Sequence, residues 1–163
     1  MLVLLTLSWG VNWPVMKIGV HELPPMTFRV MTMIGGLPLV AAIARARGIP
    51  LRVPREHWGE LFVLALFNMV LWQILAIYGV ELLSSGRAAI LAYTMPVWAA
   101  LLGIVVYAER PSPRLWVGVA AAALGVLLLV GGETAKIAGS PAGTLLMLSA
   151  AAVWGFGTHL MRR

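Results

Sequence analysis

The side chains here that could engage another molecule are mostly amides, rings and kinks rather than charges. Trp9 and Asn12 stand in the first apolar run, Asn68, Trp72 and Gln73 in the third, and Tyr93, Pro96 and Gly103 in the fourth. Amides donate and accept hydrogen bonds, and indole or phenol rings offer stacking faces. That set suits reversible binding of a small solute. Bond cleavage needs other groups: no Asp or Cys occurs, and Glu22, Glu56, Glu60, Glu81, Glu109 and Glu133 all avoid the middle of an apolar run. His21, His57 and His159 share no metal-ligand spacing. No Ser–His, paired-carboxylate or metal constellation can be assembled, so no enzyme activity, metal or cofactor is expected. An intramembrane proton relay likewise finds no support in this chain.

Long apolar helices must hold these residues. Residues 88–108, the 21 positions between Arg87 and Glu109, carry no charge. As a helix they measure roughly 30 Å, the thickness of a bilayer's hydrocarbon core. Pro96 sits almost at the centre, where it removes one backbone donor and frees the carbonyl a turn earlier. Lipid cannot satisfy that carbonyl, so this point must pack on protein or face a wet cavity. On a regular helix Tyr93, Pro96, Ala100, Gly103 and Tyr107 share one stripe. The stripe is a candidate pathway wall; helix packing at Ala100 and Gly103, and simple bending at Pro96, are the alternatives.

Asn68, Trp72 and Ala76 form a similar stripe, with Gln73 beside it. Buried amides are costly in hydrocarbon, so Asn68 and Gln73 must face protein or water. Solute binding and helix joining both answer that need. Around Asn12, Gly10 and Pro14 bracket a bend-prone segment, which fits either a transport site or a packing kink. Two charges lie close to this framework. Arg29, near one end of the second run, either contacts an anionic solute group or snorkels to the interface. Glu109 either acts as a gate or pairs with Arg110 or Arg114. In the fifth run, Gly118 with Ala122 and Ala121 with Gly125 are small-x-x-x-small pairs, expected to pack helices within the bundle or in a homodimer.

The 163 residues are 61% hydrophobic and 11% charged, against about 25% charged in a soluble domain. Six spans are expected, near 1–20, 27–44, 61–80, 88–108, 115–130 and 143–160, giving an all-α integral membrane protein. The pI near 10.8 does not point to nucleic acid, because the basic residues are confined to connectors between apolar runs. The first run lacks a basic lead and a small-residue cleavage site, so it reads as a retained span. With the N-terminus cytoplasmic, Arg45, Arg47, Arg52, Arg55, Arg110, Arg114, Arg162 and Arg163 fall inside. Lys17, Arg29, Arg87 and Lys136 fall outside, and this asymmetry favours that orientation.

A weak repeat spans the chain. Trp9-Gly10 recurs as Trp154-Gly155, and Met16-Lys17 as Met161-Arg162. The repeat unit then holds five spans, and an odd unit places its successor upside down in the membrane, as in many transporters.

The run from Trp9 to Gly19, followed by Leu23-Pro-Pro-Met-Thr-Phe-Arg29, resembles the start of an EamA domain of the drug/metabolite transporter superfamily. Ser85 to Trp98, then Glu109-Arg110 and a Gly/Ala-rich fifth span, continue the resemblance over nearly the whole chain. The resemblance implies a ten-helix inverted-repeat exporter of small metabolites or drugs in a bacterial inner membrane. Its central cavity would be built from the third and fourth helices of each repeat, flanked by the first. On that plan residues 1–131 are the first repeat, 132–142 an external linker and 143–163 the first helix of a truncated second repeat. The chain is expected to be an N-terminal fragment whose partners are a small-molecule substrate, the bilayer and the missing repeat. A non-transporting membrane scaffold or assembly subunit is the alternative.

Overall fold

Among the described residues, proline and serine punctuate the apolar runs into six helical rods. The computed structural model describes residues 2–108, 110–131 and 140–160. We number the rods α1 (Leu2–Glu22), α2 (Pro25–Ala46), α3 (Arg55–Leu82), α4 (segments Ser85–Ala92 and Met95–Tyr107), α5 (Pro113–Gly131) and α6 (Pro141–Leu160). The described residues are overwhelmingly helical and contain no strand, and the protein is an all-α membrane protein. Four rods, α2, α3, α4 and α6, are each long and apolar enough to cross a bilayer. In α1, Asn12, Pro14 and Lys17 dilute the apolar character.

Local chemistry sets the ends. Prolines open α2, α5 and α6, where a missing N–H goes unneeded and φ is already helical. Ser112 caps α5, its Oγ accepting from Leu115 N at 3.2 Å. Two-residue links, Leu23-Pro24 and Leu83-Ser84, fold α1 against α2 and α3 against α4 as antiparallel pairs. At 28 residues, α3 is roughly 42 Å long and outruns the hydrocarbon core. Its first turns, Arg55 to Glu60, form a polar extension, which is why it starts earlier than the apolar run alone suggests.

Two spans are not regular helices. α3 widens into a π-helical turn at Leu66–Leu71. α4 breaks at Tyr93–Thr94, and Pro96 lies in the first turn of its second segment. Pro96 cannot donate to the Ala92 carbonyl. Thr94 stabilises the break by donating from Oγ1 to Leu91 O at 2.6 Å.

The bundle centres on α6, which packs along the π turn and last segment of α3 and along both segments of α4. Apolar burial does little to drive helix association in lipid, so close packing of small residues carries more of the load. Here that load falls on α6. A Cβ on Gly155 would lie 2.8 Å from Ala99 N, and one on Gly157 would fall on the Asn68 amide. Ile77, Val80, Leu91 and Met147 form the fully buried centre. α1 lies against the last segment of α3 and the first of α4. There Lys17 Nζ donates to the carbonyls of Val80 (3.0 Å) and Glu81 (2.8 Å), capping the end of α3. By contrast, α2 has no buried residue.

Candidate functional site

The π turn of α3 and the break in α4 both border one cavity of about 340 Å³, which five helices line. From α1 come Ser8, Trp9, Asn12, Trp13 and Met16, on the stretch that carries Pro14. α3 contributes Trp72, Gln73 and Ala76, just past its π turn. α4 contributes Tyr93 and Met95 at its break, α6 contributes Trp154, and α2 adds Arg29.

Specific contacts fix the lining. Trp13 Nε1 donates to Tyr93 Oη at 3.3 Å, and the two rings meet edge to face with centroids 6.1 Å apart. This contact joins α1 to the break in α4. Trp72 packs on Trp154 at 5.5 Å, joining α3 to α6. Asn12 Nδ2 donates to Met16 Sδ at 3.1 Å, and Arg29 Nη2 reaches the same sulfur at 3.7 Å. A thioether is a weak acceptor. Arg29 Nε is buried with no hydrogen-bond partner, and no carboxylate pairs with Arg29 among the described residues. The chamber therefore has aromatic walls, two amides and one cation.

Of the positions singled out from sequence, Trp9, Asn12, Trp72, Gln73, Tyr93 and Arg29 line this cavity. Asn68, Pro96 and Gly103 do not. The single stripes drawn through these helices assume regular 3.6-residue geometry. The π turn shifts Asn68 out of phase with Trp72, and Asn68 is buried against Gly157 of α6 with neither amide atom hydrogen-bonded. The break at Tyr93–Thr94 likewise separates Tyr93 from Pro96, which is exposed, and from Gly103, which is buried elsewhere. Glu109 lies outside the described residues. In α5, a Cβ on Gly118 or Gly125 would meet nothing within 4 Å. Gly118, Ala121 and Gly125 are exposed and Ala122 half-buried. The close approach expected within the bundle is not made at these glycines among the described residues.

Residues 1–131 match the EamA-like transporter family. The chain belongs to that family. Its relatives include the uncharacterized transporter YoaV of Bacillus subtilis, 30% identical over 92% of this chain and 52% of that protein. A probable amino-acid metabolite efflux pump of Escherichia coli is 26% identical over 94% of this chain and 50% of its own length. The uncharacterized inner membrane transporter YedA of Escherichia coli is 25% identical, covering 94% and 49% respectively. This EamA-like chain thus spans about half the length of the curated relatives it matches. No solved structure gives a significant match.

Sequence reasoning left Ser8, Trp13, Met16, Met95 and Trp154 out of the cavity of this EamA-like chain. A signal for Trp154 was present in the Trp-Gly repeat: its two tryptophans, Trp9 and Trp154, line the same chamber. Their glycines differ. Gly155 packs on the α4 backbone, whereas a Cβ on Gly10 would meet nothing.

Proposed function

We propose that this chain is one wall of the solute pathway in a multi-pass inner-membrane secondary transporter. It would export small metabolites or drugs by alternating access. The observation that carries this reading is the convergence of helix irregularities on one aromatic- and amide-lined chamber. Irregular backbone at membrane depth is tolerated where it is buried in protein or lines a cavity. With the N-terminus cytoplasmic, the cavity would lie around the bilayer midplane and reach toward the outer face at Arg29, and rocking of helix groups would expose it alternately. On the inverted-repeat plan, the open face at Gly10 is where an inverted counterpart of α4 would pack, as α4 itself packs on Gly155. The amino-acid metabolite efflux activity in one relative's name is compatible with this cavity.

Proteoliposomes containing the protein test the proposal. They should move members of a broad small-metabolite panel. Trp72→Ala should slow that flux, while Leu37→Ala, on the exposed face of α2, should leave it unchanged. No flux of any solute, or equal flux in both variants, would contradict it. The open small-residue face of α5 favours a second reading, a membrane scaffold or assembly subunit. That reading predicts a stable cross-linked partner and no substrate-dependent stabilisation.

A further inference from the structure

Among the described residues, Arg29 is the one charged side chain in the lining of the cavity. A guanidinium has five N–H donors. Here one of them, on Nε, is buried without an acceptor, and Nη2 reaches only the Met16 thioether at 3.7 Å. Arg29 is half-buried, and a cation partly withdrawn from water without a counter-charge is costly; charged residues inside membrane bundles pair or serve a ligand. No Asp or Glu is among the described lining residues. The ion pairs found among the described residues are all His–Glu contacts at exposed positions. Around Arg29 the walls are indole and phenol rings, which suit an apolar or aromatic body.

Resting on the solute-pathway reading above, we infer that the cavity takes a solute bearing one carboxylate, seated on Arg29, and an apolar or aromatic body with no second charge. The carboxylate supplies the acceptor that Nε lacks, and the planar fork of Arg favours two-point contact with it. Gln73 and Asn12 supply neutral amide groups in the lining of the same chamber. An ammonium group would find no carboxylate among the described lining residues, which separates this class from zwitterionic amino acids.

The test is binding of four matched probes to the purified full chain, read by tryptophan emission. They are 3-phenylpropanoate, its uncharged amide, phenylalanine and 2-phenylethylamine. The carboxylate should bind at least tenfold more tightly than the other three. Arg29→Gln should abolish that preference while leaving weak binding of the amide unchanged, and Arg29→Lys should restore part of it. Arg29→Gln should also leave the melting temperature of the unliganded protein unchanged or raise it; a marked fall would assign Arg29 a structural role and overturn the inference. Equal binding of carboxylate and amide, or an unaltered preference in Arg29→Gln, would overturn the anion seat but leave the solute pathway standing. Phenylalanine binding as tightly as the carboxylate would overturn the exclusion of a second charge. Preference for the amine would replace the anion seat with an aromatic box for cations. Failure of all four probes would count against the pathway reading as well.

Discussion

The repeated Trp-Gly pair offers a matched experiment on what holds the bundle together. Gly155→Ala puts a methyl group 2.8 Å from Ala99 N and 3.1 Å from the Trp98 carbonyl carbon. Those atoms are backbone and cannot swing aside, so α6 and α4 must separate by several tenths of an ångström. The contact of His159 Nε2 with Ala99 O, at 2.6 Å, lies in the same interface and must readjust with it. Overpacking of this kind costs about 1–3 kcal/mol. Gly10→Ala adds the same methyl where nothing lies within 4 Å. Both changes gain the same intrinsic helix propensity, up to about 1 kcal/mol, so the difference between them isolates the clash. The unfolding constants of the two variants should therefore differ by about 5- to 150-fold. Reversible unfolding in mixed detergent micelles, followed by circular dichroism, would measure the difference. Equal stability of the two variants would refute the packing of α6 on α4 through Gly155.

Other perturbations report on separate features. Trp13→Phe and Tyr93→Phe, combined in a double-mutant cycle, keep a ring at both positions and should show a coupling of roughly 0.5–1.5 kcal/mol from the Trp13–Tyr93 hydrogen bond; zero coupling would remove that link between α1 and the α4 break. Asn68→Leu should leave stability unchanged or raise it by about 1–3 kcal/mol, since both amide atoms are buried and unbonded; a loss above about 1 kcal/mol would reveal a hydrogen-bond partner. Lys17→Met should cost roughly 0.3–1 kcal/mol by uncapping the last carbonyls of α3, and a null result in the same unfolding assay would show the ammonium to be a surface charge.

The gross plan was readable because spans in lipid announce themselves by length and missing charge. The placement of six helices follows from runs such as 88–108 and from proline pairs such as Pro24-Pro25. The helix break in α4 was readable too, since Pro96 cannot supply the donor a continuous helix needs. What sequence periodicity could not supply was azimuth beyond an irregularity. Nothing in Leu66–Leu71 marks a π turn, and that turn decides that Trp72 and Gln73 face the cavity while Asn68 faces Gly157. The same holds past Tyr93, where the break turns Pro96 and Gly103 away. Trp13 and Trp154 were overlooked because an indole in an apolar helix reads equally as core, anchor or lining. Only the fold brings Trp154 of α6 beside Trp72 of α3.

The central claim is that the chamber between α1, α3 and α4 is a solute-accessible space rather than a lipid-filled groove. The sequence contains no cysteine, so single cysteines report cleanly. Ser8→Cys and Gln73→Cys, in the cavity lining, should react with a water-soluble maleimide in intact membranes, and transported solutes should slow that reaction. Leu37→Cys and Val105→Cys, on strongly exposed apolar faces, should resist labelling until the bilayer is dissolved. Equal reactivity at all four positions, or labelling of the cavity pair only after dissolution, would contradict the account.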